Sequence, residues 1–144
     1  MRTKVIIEMI DENCKPVKAH KSDACFDLFA AQDIIVFPFE TVLIRAGFRM
    51  QLEEGYEAQI RPRSGNSLKK GFQVILGTID CGYTGEVGII VHHMGGIAGN
   101  IMIKKGDKIA QMAISRIPDT ELEFSRIKME TERGEGGFGS TDRK

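Results

Sequence analysis

Hydrophobic and polar positions alternate with a period of two along most of this chain. Tyr56, Ala58 and Ile60 alternate with Glu57, Gln59 and Arg61; Ala110, Met112 and Ile114 alternate with Gln111, Ala113 and Ser115; Leu122 and Phe124 alternate with Glu121, Glu123 and Ser125. That period places successive side chains on opposite faces of a strand. Further strand-like apolar runs occupy residues 5–9, 34–37, 42–44, 87–91 and 101–103. Glycines punctuate them, at Gly47, Gly55, Gly71, Gly77, Gly82, Gly85, Gly95-Gly96, Gly99 and Gly106. Many short strands separated by glycine turns predict an all-β barrel or jelly roll. Helix is expected only over residues 66–70, between Gly65 and Gly71, with Ser64 placed to cap it.

With 144 residues the chain is long enough for one domain with a core. Lys and Arg together number 20, as do Asp and Glu, so the formal charge is zero. That balance argues against a nucleic-acid-coating surface. No apolar run reaches membrane-spanning length, and Met1-Arg2-Thr3-Lys4 leads into a strand-like run without a small-residue cleavage site. A cytoplasmic location is therefore expected, or a nuclear or organellar one if the source is eukaryotic. Cys14, Cys25 and Cys81 are odd in number and contain no C-x-x-C pair, so reduced thiols are expected. His92 and His93 are adjacent, so on a strand one is packed and the other solvated.

Five segments carry candidate chemistry. Arg61-Pro62-Arg63-Ser64-Gly65 follows an alternating strand and opens the expected helix. Ser64 and the first helical N–H groups can hold an anion, and Arg63 adds a forked donor; the alternative is a plain helix start with a surface arginine. Residues 77–86 read as a tight hairpin with Asp80 near its tip and Tyr83 three residues on. Asp80 is either a general base or a turn cap, and Tyr83 a flat floor for a ring or a packing residue. Asp27, between Phe26 and Leu28, either lies on a solvated face or anchors a metal's water or a phosphate-binding arginine. Gln111 contacts a ligand or pairs with loop backbone. The last stretch, Arg133-Gly134-Glu135-Gly136-Gly137-Phe138-Gly139-Ser140-Thr141, has the composition of a phosphate cradle. It lacks the following helix that a dinucleotide fold or P-loop requires, so it is expected to close over a site built elsewhere. Together these are the parts of a phosphate-ester site in which water attacks phosphorus.

Taken in order, the segments resemble the five motifs of the homotrimeric dUTP diphosphatase (dUTPase) family. Ala24-Cys25-Phe26-Asp27-Leu28, Pro62-Arg63-Ser64-Gly65, Gly77-Thr78-Ile79-Asp80 with Tyr83, Gly85 and Glu86, Lys105-Gly106-Asp107-Lys108-Ile109-Ala110-Gln111, and the glycine-rich tail match them in turn. The resemblance implies a distorted jelly-roll or β-clip barrel over residues 1–132, with one short helix after the second motif. It implies a flexible glycine-rich C-terminal arm, 133–144, closing over the site of a neighbouring subunit. Asp80 would orient the water that attacks the α-phosphorus and contact the deoxyribose 3′-hydroxyl. Tyr83 would stack on the deoxyribose. Backbone groups from Val74 through Gly77, Thr78 and Ile79 to Asp80 would read uracil. Arg63, Ser64, Gly65 and Gln111 would hold the phosphates, and Phe138, with Arg133, Gly139 and Ser140, would close over the nucleotide. Mg²⁺ would be held mainly by the substrate phosphates, with Asp27 supporting it through water. The implied partners are dUTP and two further copies of the chain, with neither nucleic acid nor membrane. The implied activity converts dUTP to dUMP and pyrophosphate.

The chain departs from the family pattern at Cys25, Asn66-Ser67, Val74 and Asp142. A dCTP deaminase of the same fold needs a glutamate and a different serine–arginine pattern near the phosphate helix, which Ser64-Gly65-Asn66-Ser67 does not supply. A dUTP-sensing regulator on this fold is the alternative from another class; the retained Asp80 and Tyr83 argue against a purely inactive one.

Overall fold

The alternation becomes ten strands in the computed structural model, which describes residues 2–140, apart from the side chains of residues 67 and 68. One four-stranded sheet runs in the order β1 (Ile6–Met9), β4 (Thr41–Gln51), β8 (Glu86–His93), β6 (Phe72–Val74). The second runs β2 (Phe26–Phe29), β10 (Lys108–Arg116), β5 (Tyr56–Arg61), β7 (Gly77–Ile79). A small pair joins β3 (Ile34–Val36) to β9 (Ile101–Ile103). All these pairings are antiparallel. The sheets share one core but are not joined into a closed hydrogen-bonded ring, which gives a jelly-roll-like fold.

Register follows from the pattern. Ile44 lies opposite Ile89 with both side chains buried, while their neighbours Leu43 and Ile90 face outward. A one-residue slip would exchange these sets, so the apolar face fixes the pairing. Leu28, Phe48, Ile60, Phe72, Ile89 and Ile109 are among the largest fully buried side chains, and they come from both sheets. Each such burial contributes about 1.5–3 kcal/mol.

Three local expectations change. Gly47, read as a turn, lies inside the eleven-residue β4. There the register against β8 shifts between Arg45 and Arg49, Gly47 takes φ +80°, and Ala46, Gly47 and Phe48 are buried in succession. A bulge, not a chain reversal, uses the glycine. Leu122 and Phe124 form no strand: 73% and 92% exposed, they lie in a segment with no strand beside it among the described residues. Ser64 does not cap the helix. The helical turn already includes Ser64 and Gly65, Gly65 has helical dihedrals, and no side chain caps the π-helical stretch Asn66–Lys70. Gly71, at φ +75°, ends it.

His93 is buried and His92 half-buried, as adjacency requires. Gly95 N–H donates to His93 Nδ1 at 2.9 Å, so Nε2 carries the proton and donates to Gly99 O at 2.8 Å. No helix among the described residues is long and apolar enough to cross a membrane.

Candidate active site

The candidate residues fall into two groups along β5: Asp27, Arg63 and Gln111 gather at its Arg61 end, β7 runs beside it with Gly77 opposite Ile60, and Asp80 continues toward the other end. The first forms where β10 lies between β2 and β5. Asp27, Gln111 and Arg61 are registered in one row across these strands, so their side chains share the outer face. Asp27 is only 15% exposed, with Arg63 Nε 3.5 Å from Oδ1 and Lys108 Nζ 3.4 Å from Oδ2. Partly exposed pairs of this kind add about 0–1 kcal/mol. Their consequence is positional: one carboxylate orients two cations and leaves an excess of positive charge. Gln111 Nε2 donates to Pro62 O at 3.0 Å, tying the turn that carries Arg63 to β10. Ser64 and Gly65 are exposed at the start of the helical turn, where backbone N–H groups suit an anion.

The second cluster follows β7. It is not a hairpin, because β7 pairs with β5 whereas β8 belongs to the other sheet. Residues 80–85 cross between sheets, through a turn closed by Tyr83 N–H donating to Asp80 O at 3.0 Å. The glycines and Asp80 that signalled a hairpin serve a turn of either kind. Asp80 is exposed. Tyr83 folds across Gly85, where a Cβ would meet its hydroxyl at 2.6 Å, and that hydroxyl donates to Glu86 O at 2.8 Å. The ring is therefore fixed, yet 48% of the residue remains open. Val74 is buried opposite Val91, so only its backbone faces outward. β6 and β7 are the edge strands of their sheets, and their free backbone groups flank the exposed Ile75 and Leu76. Gly77, Thr78 and Ile79 form β7 itself, with the Ile79 side chain buried.

Within one chain Asp80 and Arg63 lie apart. Ile79 pairs with Ala58, so Asp80 continues toward Glu57, roughly 15–20 Å from Arg63 at about 3.3 Å per residue. Arg133, Phe138, Gly139 and Ser140 lie in a run of tight turns. Arg133 Nε donates to Gly136 O at 2.7 Å, Gly136 N–H to Arg133 O at 3.0 Å and Ser140 N–H to Gly137 O at 3.0 Å. Phe138 is fully exposed at φ 52°. Thr141 and Asp142 lie outside the described residues.

Among the described residues no group of three or more His, Cys, Asp or Glu side chains could cage a metal. Both Asp27 oxygens are engaged by cations, which fits a metal carried by ligand phosphates better than one bound directly by this carboxylate. Two residues of this neighbourhood were not read as site residues from sequence. Lys108 carries the second cation on Asp27, and Asn66 is buried with its carboxamide on the Lys108 and Ile109 carbonyls. An asparagine directly after Gly65 was the available signal; the Lys108 contact needs the strand register.

Comparison with known proteins finds relatives over most of the chain. The dUTPase family model matches residues 12–142. The deoxyuridine 5′-triphosphate nucleotidohydrolase of Clostridium tetani is 46% identical over 138 residues, covering 94% of each chain. Staphylococcus bacteriophage 80alpha dUTPase with dUpNHpp superposes with a TM-score of 0.87 at 29% identity, covering 95% of this chain and 97% of that one. The dUTPase of phage phi11 of S. aureus, described with a structural Mg(II) ion, gives a TM-score of 0.77 at 28% identity and covers 90% of this chain and 99% of that one.

Proposed function

The chain belongs to the dUTPase family, and from that premise we propose that it hydrolyses dUTP to dUMP and pyrophosphate. The observation that carries this reading is the pairing of two sites of complementary chemistry. One is a cationic turn built on Asp27, Arg63, Lys108 and Gln111; the other is an exposed carboxylate, Asp80, beside an open tyrosine face. Arg63, Gln111, Ser64 and Gly65 hold the phosphates. Asp80 accepts a proton from the attacking water as its oxygen bonds to the α-phosphorus, and the bond from that phosphorus to the bridging oxygen breaks to release pyrophosphate. Tyr83, fixed across Gly85, packs on the deoxyribose and leaves no space for a 2′-hydroxyl. The free edges of β6 and β7 supply backbone donors and acceptors for uracil. Mg²⁺ held by the substrate phosphates would offset their charge and that of the leaving pyrophosphate.

The assembly that completes the site is a homotrimer. The separation of Asp80 from Arg63 along β5 supports this, because a phosphate ester spanning both requires a second copy. The exposed apolar residues Leu122, Phe124, Ile127 and Met129 support it too, since burial against another chain would cover them. Residues 133–144 act as the arm that closes over a neighbour's nucleotide, with Phe138 above the base and Arg133, Gly139 and Ser140 on the phosphates.

Asp80→Asn tests the mechanism. The variant keeps its shape but loses the base, so kcat falls by about 10²–10⁴ while the affinity for dUpNHpp stays near that of the wild type. Near-normal turnover would remove Asp80 from the catalytic role.

A further inference from the structure

Lys108 and Gln111 are three positions apart, an odd spacing that would put them on opposite faces of an unbroken strand. Both nevertheless serve the face of Asp27: Gln111 by register, Lys108 through its ammonium 3.4 Å from Oδ2. The reason is an irregularity at the start of β10. Lys108 pairs with Phe29 and Ala110 with Leu28, so Ile109 is an extra residue on this strand. Ile109 and Ala110 are buried in succession, and Lys108 and Gln111 flank them on the outside. Such a bulge re-aims a side chain but disrupts the ladder, and the backbone groups it frees need other partners. Here β5 reaches β10 only from Gln111 onward. Beside Lys108 and Ile109, a neighbouring strand is replaced by the Asn66 carboxamide, whose Nδ2 lies 3.3 Å from Lys108 O and 3.0 Å from Ile109 O. Asn66 is 4% exposed, so water does not substitute for it.

We propose that Asn66 is a positioning residue for triphosphate binding: its carboxamide holds the β10 bulge that brings Lys108 onto the face of Asp27 and Gln111. The same residue belongs to the turn that presents Arg63, Ser64 and Gly65. Gln111 grips that turn at Pro62 O and Asn66 ties it to β10 four residues later. The phosphate-binding turn and the cation it works with therefore share one fastening. This role rests on the proposed dUTP reading for its ligand, but not for its geometry.

The test compares wild type with Asn66→Leu, which keeps apolar volume and removes the donor, and with Asn66→Ala. Thermal midpoints are measured together with affinities for dUpNHpp and for deoxyuridine, which lacks phosphates. Loss of the fastening weakens dUpNHpp by about tenfold, the scale of one buried hydrogen bond, while deoxyuridine binding is unchanged. Asn66→Leu with a wild-type affinity for dUpNHpp would overturn the proposal, whatever its midpoint. A second measurement needs no variant and no nucleotide. In the wild-type protein the Asn66 carboxamide protons, followed by NMR, exchange slowly with solvent; free exchange would overturn the fastening even if dUTP is hydrolysed. A wild type that holds those protons yet binds no dUpNHpp would refute the dUTP reading, and with it the ligand assigned here.

Discussion

At the residue scale, side chains are set by contacts distant in sequence, and a single charge pair shows the consequence. Asp11 accepts from Asn13 N–H at 3.0 Å and from Lys105 Nζ at 2.9 Å, which fastens the 3₁₀ turn Glu12–Cys14 to the β9–β10 connection. The bond from Lys105 holds the Asp11 carboxyl below its ordinary value, and Asp11 raises Lys105 above its own. A lowered carboxylate stabilises the fold above its unfolded pKa of about 3.9, and that stability is lost as pH falls through the folded value; a raised lysine stabilises below about 10.4, and that stability is lost as pH rises through the folded value. Asp11→Asn is therefore less stable than wild type through neutral pH, and denaturation curves of the two converge in acid and again in strong alkali. A constant difference at all pH values would contradict the linkage. Some residue-scale facts were legible in sequence, such as the packing of one of the two adjacent histidines: His93 is buried, while His92 is half-buried rather than solvated. From sequence Asp27 stays open between a solvated face and an anchor for a metal's water or a phosphate-binding arginine; the Arg63 contact depends on a turn 36 residues later in the chain.

Among elements, strand existence was legible wherever alternation coincided with a partner. Residues 56–61 alternate and form β5, but 121–125 alternate equally well and form no strand, because a strand requires a neighbour and the described residues offer none. Glycine was the ambiguous letter. It ends the helical turn at Gly71, whereas Gly47 bends a continuous strand around the buried Cys14. A Cβ on Gly47 would lie 2.8 Å from Cys14 Cβ and 3.2 Å from Ala31 Cβ, at φ +80°. Gly47→Ala therefore destabilises by about 2–4 kcal/mol, combining left-handed strain with overpacking. A denaturant midpoint equal to wild type would show that β4 relaxes without cost. The crossing from β7 to β8 resembles a hairpin in sequence for the same reason: turn residues announce a reversal, and only pairing tells which sheet receives the next strand.

For the whole molecule, the order of five segments carried the family, while their spatial division could not be read from one chain. Asp80 and Arg63 lie toward opposite ends of β5, so the proposed site would take one from each of two copies. Mixing inactive Asp80→Asn with inactive Arg63→Ala, after dissociation and reassembly, restores part of the activity because some sites draw one intact residue from each variant. No recovery in reassembled mixtures would place both residues in a single chain's site. The most direct test of the account is the set of products formed from dUTP, dTTP, dCTP and UTP with Mg²⁺, separated by chromatography. The expected result is dUMP and pyrophosphate from dUTP alone, with dTTP excluded at the β6 and β7 edges and UTP at Tyr83. Comparable hydrolysis of all four, release of ammonia from dCTP, or binding of dUTP without turnover would contradict it.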